Sequence, residues 1–180
     1  MKAFYTDHFV LPLPSGHRFP MEKYSKLRNL VSDLAGVELL EAPAASDTQI
    51  LYAHDPQYLI NIIGGHLSAS EQREIGFPWS EKMVERSRRS AGATVAACKT
   101  SLTEGVSVNL AGGTHHAYRD MGSGFCVFND SVIAARALQK EMNPKLKVAI
   151  IDLDVHQGNG TASILQNDDS IFKLFFNERL

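Results

Sequence analysis

Three side chains that can bind a metal ion occupy alternate positions late in the sequence. Asp152, Asp154 and His156 follow an apolar, β-branched run at 148–151 and precede Gly158-Asn159-Gly160. Such a run predicts a buried parallel strand, and ligands of α/β folds bind at the carboxyl ends of these strands. Side chains two residues apart on a strand share one side, so Asp154 and His156 can converge on zinc or a similar divalent ion. From these residues alone, helix caps or polar loop residues remain an equal alternative.

The adjacent pair His115 and His116 is a second candidate for chemistry. The pair follows an apolar run at 106–110 and the glycine turn 111–113, which together predict another strand end. Neighbouring imidazoles can divide the work of general base and electrostatic partner for a metal-bound water. This pair, and the cost of an unpaired Asp152 within an apolar strand, favour the metal interpretation of the first segment.

Three motifs in this order resemble the zinc-dependent histone deacetylase family. They are Gly-Gly-Thr-His-His-Ala at 112–117, Gly-Ser-Gly-Phe-Cys-Val-Phe-Asn-Asp at 122–130 and Ile-Asp-Leu-Asp-Val-His-Gln-Gly-Asn-Gly-Thr at 151–161. That family includes bacterial acetoin-utilisation proteins and acetylpolyamine amidohydrolases. The segment 54–59 also looks like the family, so the resemblance covers nearly the whole chain. His-Gln-Gly-Asn-Gly is most similar to the class IV deacetylases and related bacterial proteins.

The resemblance implies a catalytic role for each of these residues. Asp154 and His156 match two of the family's three zinc ligands, with Fe²⁺ as an alternative metal. His116 matches the general base and later general acid, and His115 its electrostatic partner. Asp152 matches a carboxylate that orients one of these histidines. The implied reaction is removal of an acetyl or other acyl group from a lysine or amine by metal-activated water.

Further implications concern the surroundings of this site. Asn159 stands where other members have an aspartate paired with the catalytic histidine, so the pKa of that histidine should be raised less here. Phe125 matches an aromatic wall of the acyl-lysine channel, and Gly124 beside it allows close backbone approach. A structural potassium ion is expected near Asp152, Asp154 and His156. The substrate is an acetylated lysine, a polyamine or a small molecule, and the sequence does not select among them.

The sequence departs from the family pattern toward its end. The family has its third zinc ligand, an aspartate, and an oxyanion-stabilising tyrosine further downstream, and the printed sequence reaches neither. Residues 172–180 also lack the expected serine-and-histidine pattern, as a truncated or frameshifted end would. A catalytic zinc site needs about three protein ligands. These departures predict weaker metal binding and an exposed apolar sheet edge, and they put stand-alone activity in question.

Two alternatives to a deacetylase follow from the same residues. An arginase-like ureohydrolase shares the architecture, but its Asp-X-His-X-Asp motif bridges two manganese ions, and Gly158 stands where the second carboxylate would be. The other alternative is a non-catalytic remnant that acts as a binding or assembly module. It predicts no metal and an exposed apolar surface.

The composition bounds the class of protein. The 180 residues are 44% hydrophobic and 21% charged, which predicts one domain over 1–180, the N-terminal portion of a deacetylase-like domain. A net charge of −2 gives no reason to expect nucleic acid or an anionic membrane as partner, and oligomers stay open. Cys98 and Cys126 do not suggest a disulfide framework. With no apolar leader at 1–10, a cytoplasmic location follows by default.

The elements that must position these residues alternate between strands and helices. The predicted strands are 2–5, 37–40, 106–110, 148–151 and 171–176, and the predicted helices are 21–34, 48–53, 57–63, 81–102, 131–142 and 161–165. Residues 71–79 are predicted as a connection. This order predicts an α/β fold of three layers with a mainly parallel sheet between helices, arginase/deacetylase-like and incomplete at its C-terminus.

We expect the charged residues of helix 81–102 and the histidines outside the motifs to be structural rather than catalytic. Arg86, Arg88, Arg89 and Lys99 are predicted to form a solvated face of helix 81–102. The remaining histidines are predicted to be loop or helix-end residues; they are His8, His17, His54 and His66.

Overall fold

The computed structural model describes residues 1–176, and all strand pairs within them are parallel. One sheet has the order β2-β1-β3 and the other pairs β4 with β5. The strands are β1 Lys2–Tyr5, β2 Glu38–Glu41, β3 Ser107–Asn109, β4 Val148–Asp152 and β5 Ile171–Phe175. In the first sheet Ala3 lies opposite both Leu39 and Val108. The predicted α/β class with a parallel sheet flanked by helices is confirmed.

Seven α-helices connect and cover these strands in the described residues. They are α1 Lys23–Ser32, α2 Asp47–Ile50, α3 Pro56–Gly64, α4 Ala69–Ile75, α5 Glu81–Glu104, α6 Asp130–Ala137 and α7 Asn159–Ile164. A five-residue π-helical segment, Leu138–Met142, extends α6. The predicted helix 131–142 is therefore two segments with different hydrogen-bond spacing.

Helix α4 was not predicted, although the sequence carries its signals. Ser68 and Glu71 form a capping box at its start, and Gly76 ends it with φ of 82°. These are ordinary start and stop residues, and the prediction of a connection at 71–79 was wrong because the apolar pattern is too short to show a period. Two carbonyls of this helix, Glu74 O and Ile75 O, accept the N–H groups of Gly124 and Phe125. Helix α4 thus holds the loop that was predicted to line the channel.

The predicted solvated face of α5 is wrong for its first arginine. Arg86 is only 9% exposed, and its guanidinium lies over aromatic rings. The other three cations are engaged at the surface: Arg88 with Asp47, Arg89 with Glu41 and Lys99 with Glu141. Cation–π contacts compensate in part for the loss of water around Arg86, which a helical periodicity cannot reveal. Further along α5, a Cβ on Gly92 would lie 2.0 Å from the Pro43 carbonyl oxygen, so only glycine permits this close packing.

Strand β4 is half-buried rather than buried on both faces as predicted. Val148 and Ile150 pack against the main core, whereas Ile151 is 59% exposed. The neighbouring strand β5 shows the same alternation, with Phe172 63% exposed. The physical reason is that no helix among residues 1–176 covers this outer face. These side chains lie on a face of the strand pair, so the expected exposed sheet edge stays a prediction. The predicted truncated end at 172–180 falls partly outside the described residues.

Candidate active site

The turn that carries the histidine pair is held by a buried carboxylate. Asp130, 2% exposed, begins α6. Its Oδ1 accepts the Thr114 N–H at 2.8 Å and its Oδ2 accepts the Gly113 N–H at 3.1 Å. Gly112 and Gly113 have φ of 78° and 69°, a backbone conformation that favours glycine. The turn is therefore fixed to the start of a helix, which leaves His115 and His116 little freedom.

His115 is buried and paired with the carboxylate at the end of β4. Its Nδ1 lies 2.6 Å from Asp152 Oδ2, and its exposed fraction is 8%. The carboxylate can only accept, so Nδ1 carries the hydrogen. The pair thereby joins the turn after β3 to the end of β4, the two strand ends that the sequence singled out.

His116 is paired with an amide instead of a carboxylate. Its Nδ1 lies 2.8 Å from Asn159 Oδ1, and the two imidazole rings of the pair have centroids 4.2 Å apart. Asn159 Oδ1 also accepts the Gly160 N–H at 3.0 Å, which supports its assignment as the carbonyl side of the amide. With hydrogen on Nδ1, the Nε2 of a neutral His116 is the nitrogen that can take up a proton.

Asp154 and His156 lie together in the loop after β4. Asp154 Oδ1 accepts the His156 backbone N–H at 2.8 Å and the ring Nδ1 lies 2.9 Å from it. These hydrogen bonds, the backbone one first, lower the pKa of Asp154. Both side chains reach solvent, at 49% and 73% exposure. Within residues 1–176 no group of three histidine, cysteine or acidic side chains is arranged to hold a metal ion.

A pocket of about 400 Å³ contains both pairs of candidate residues. It is lined by His115, His116, Asp154 and His156 together with Phe125 and Cys126. Burial raises the pKa of the Cys126 thiol to about 12, so this cysteine is a neutral part of the wall. The volume suits a small-molecule or side-chain ligand.

Gly124 and Phe125 shape one side of this pocket. A Cβ on Gly124 would lie 2.8 Å from His116 Cδ2, so a larger residue would displace the imidazole. Phe125 has a φ of 67°, and its N–H donates to the Ile75 carbonyl at 2.7 Å. Its ring lies against Phe19 and Phe77, with centroids 5.1 and 5.2 Å apart. The strained backbone at Phe125 turns an aromatic ring toward the pocket.

Sequence analysis missed the roles of two residues that build the site. Asn129 caps α6 and its amide donates to the Ala117 carbonyl and to Thr161, tying the histidine loop to α7. The asparagine directly before an apolar helical run was the signal for this role. Arg86 also lines the pocket, and no local pattern marks it.

Comparison with known proteins identifies the family. Residues 17–176 match the family model of the histone deacetylase domain. An uncharacterised protein of Picosynechococcus sp. is 40% identical over 171 residues, which cover 93% of this chain and 57% of that protein. The histone deacetylase-like amidohydrolase of Pseudomonas aeruginosa is 31% identical over 180 residues, covering 93% of this chain and 45% of the relative. The chain thus spans about half the length of the curated relatives that it matches.

A solved structure supports the same assignment at the level of the fold. The crystal structure of an HDAC homolog complexed with SAHA superimposes with a TM-score of 0.80 at 23% identity, covering 98% of this chain and 50% of the other. In the part of the chain that the structure describes, no helix is long and apolar enough to cross a membrane. The predicted cytoplasmic location stays a prediction. Because the family model matches residues 17–176, most of this chain, the chain belongs to the histone deacetylase family.

Proposed function

We propose that the pocket hydrolyses the amide bond of an acylated lysine or amine. The observation that carries this proposal is the joint placement of two oriented imidazoles and a second Asp–His pair in one pocket. One pair supplies proton transfer and the other supplies candidate metal ligands. Membership in the family supports a deacetylase-type hydrolase.

The roles of the histidines follow from their hydrogen bonds. His116, with Nδ1–H held by Asn159, takes a proton from the attacking water through Nε2 and returns it to the leaving amine. Asn159 fixes the tautomer and orientation without adding a negative charge. His115 and Asp152 supply a buried, charge-compensated partner beside it, 4.2 Å from ring to ring. The water adds to the acyl carbon, the C–N bond breaks, and the products are an acid and an amine.

Zinc, or Fe²⁺, is the metal that this proposal requires. When bound, it polarises the acyl carbonyl and lowers the pKa of water. Asp154 and His156 have the donor types that such an ion prefers and would contribute two ligands. A third donor does not lie with them in residues 1–176. The potassium ion expected near Asp152, Asp154 and His156 stays a prediction.

The proposed substrate is an acetylated lysine, an acetylated polyamine, a small acetylated molecule or a lysine with a longer acyl group. The pocket volume of about 400 Å³ accommodates an acylated side chain. The names of the relatives, a histone deacetylase-like amidohydrolase and the acetoin utilization proteins AcuC, fit an amide-hydrolysing family without fixing one substrate.

The experiment combines metal analysis with turnover on one folded sample. The purified chain is loaded with zinc, its bound metal is counted, and acetate release from acetyl-lysine peptides and acetylpolyamines is measured. Because two protein donors predict weak binding, zinc is supplied in excess; at saturation we expect one zinc per chain and turnover that falls at least about 100-fold in His116→Gln. The matched control is His66→Gln, an exposed histidine outside the pocket, which should keep the wild-type rate.

Two results would contradict the proposal. The first is a folded, zinc-loaded chain that hydrolyses neither these acetylated substrates nor lysine peptides with longer acyl groups. The second is turnover that His116→Gln leaves unchanged, because the rate would then come from another site or a contaminant. Two bound manganese ions with guanidine hydrolysis would instead point to a ureohydrolase.

A further inference from the structure

A buried arginine in the pocket wall has no role in the chemistry described so far. Arg86 lies in the first turns of α5, and its guanidinium carbon is 4.9 to 5.6 Å from the ring centroids of Phe19, Tyr24 and Phe77. One terminal nitrogen donates to the Tyr24 hydroxyl at 2.7 Å. A guanidinium has five N–H groups, so this contact satisfies a small part of its capacity.

Arg86 differs from the other arginines of α5 in having no acidic partner. Arg88 and Arg89 each contact a carboxylate, Asp47 and Glu41, within 2.6 Å. Among the described residues, no carboxylate lies within 4.0 Å of Arg86, which has no ion pair at all. Asp7 shares a small cavity with it but pairs with Arg28 at 3.3 Å. A buried cation of this kind is costly unless something compensates its charge, and cation–π contacts do so only in part.

A second cation lies beside Arg86. Lys23, at the start of α1, has its Nζ 4.7 Å from the Phe19 ring centroid and 5.2 Å from that of Tyr24, the same rings that contact Arg86. Partial burial, followed by the charge of Arg86, lowers the pKa of Lys23. Two cations that share an aromatic surface repel each other, and an anion between them would remove that repulsion.

Both cations line the pocket that holds His116, Asp154 and His156. The Tyr24 hydroxyl accepts from Arg86 and keeps its own hydrogen for another acceptor. A planar guanidinium and a nearby ammonium group can bind one carboxylate together through charge-assisted hydrogen bonds. This cation pair gives the pocket a positively charged region in addition to the candidate metal ligands.

We propose that Arg86 and Lys23 form a carboxylate-binding subsite, and that the acyl group removed by this protein itself ends in a carboxylate. The substrate class is then an amine acylated by a dicarboxylic acid, such as succinyl-lysine or glutaryl-lysine. Hydrolysis adds one water across the amide and releases the amine and the dicarboxylate. The hydrolysis step of this inference rests on the proposed function, whereas binding of a carboxylate to Arg86 and Lys23 can be tested without any reaction.

Binding is therefore measured without catalysis. Calorimetry in the presence of a chelator compares peptides that contain succinyl-lysine, glutaryl-lysine, acetyl-lysine and the neutral isostere succinamyl-lysine. We expect one of the two carboxylate-bearing peptides to bind at least about tenfold more tightly than the isostere, as a charge-assisted contact would give. That preference should disappear in Arg86→Gln and fall in Lys23→Met.

The controls separate the subsite from folding and from the reaction. Arg88→Gln removes an arginine from the same helix outside the pocket and should keep the preference. Circular dichroism and urea unfolding check Arg86→Gln. Lys23 is more exposed than Arg86 and only its end packs on the aromatic rings, so Lys23→Met tests the subsite independently of the core. A missing turnover would contradict only the proposed function, since these titrations need none. Equal binding of carboxylate and isostere, or no binding of either, would overturn the subsite.

A last titration uses free acetate as a competitor, because a released acid product also carries a carboxylate and could bind the same cations. If acetate competes at Arg86 while acylated peptides show no preference for the carboxylate, the cations bind the product and the substrate assignment is wrong.

Discussion

The replacement of His54 by glutamine should remove an acid-sensitive element from the core. His54 is 1% exposed, its Nε2 accepts the Asn129 N–H at 2.9 Å, and its Nδ1 lies 3.3 Å from the Arg119 carbonyl. Burial lowers its pKa from 6.5 to about 4. Protonation would place a charge in the core and block the acceptor that Asn129 uses, so the neutral form is the folded form.

The sign and size of the effect follow from this lowered pKa. The unfolded chain binds the proton near pH 6.5, but the folded chain binds it only near pH 4. The ionisation of His54 therefore leaves the free energy of unfolding unchanged above pH 6.5 and lowers it progressively below that pH. At pH 4.5 the wild type should have lost about 2.5 kcal/mol of its unfolding free energy through this residue alone. Glutamine does not titrate, so His54→Gln should lack this acid-dependent loss. The variant should be less stable than the wild type at neutral pH because packing is lost.

Urea unfolding at pH 7.5 and pH 4.5 measures this difference. Acidic groups such as Asp168, whose pKa is lowered by Ser170 and Arg136, contribute equally in both proteins and cancel. The reasoning is refuted if wild type and His54→Gln lose the same free energy between the two pH values. If the variant does not fold, a ring titration of His54 by NMR decides the matter, and a midpoint above pH 5.5 would contradict the structure.

Three substitutions test the elements that hold the site, each by urea unfolding. Gly160→Ala would put a Cβ 2.3 Å from the Ala117 carbonyl oxygen and should cost about 2 kcal/mol or more, whereas Ser163→Ala on the same helix should be neutral. Asp130→Ala removes the acceptor of Gly113 and Thr114 and should cost about 3 kcal/mol, compared with no change for the exposed Asp169→Ala. Ser68→Ala removes the cap of α4 and should cost about 1 kcal/mol, with Ser70→Ala as control. Equal stability of any variant and its control would show that the contact concerned contributes nothing.

The residues that sequence analysis predicted well are those with a local signature. The glycine turn before His115 and the apolar run before Asp152 marked two strand ends, and parallel strands bring such ends to one edge. Fold class followed from the alternation of strands and helices. Membership in the family followed from three motifs in order, which the family model confirms over residues 17–176.

The features that could not be predicted depend on contacts distant in sequence. The burial of Arg86 depends on Phe19 and Phe77, which come from other segments of the chain. His54 was expected at a polar helix end, yet it is buried, and the backbone N–H of Asn129, 75 residues later, satisfies its ring nitrogen. His17, predicted as a surface histidine, is half-buried and stacks on Phe77 while its Nε2–H donates to the Gly76 carbonyl. A one-dimensional pattern records what a residue is next to in the chain, and these three are set by their neighbours in space.

Asp152 has a consequence for how mutational effects combine. One of its oxygens holds His115 at 2.6 Å, and the other accepts the Asp154 backbone N–H at 3.0 Å. A single carboxylate therefore orients both His115 and the loop of the candidate metal ligands. Substitutions at His115 and at Asp154 should be non-additive, with a coupling free energy that vanishes once Asp152 is replaced. In thermodynamic terms, the proposed proton-transfer residues and the candidate metal ligands of this pocket should form one cooperative unit.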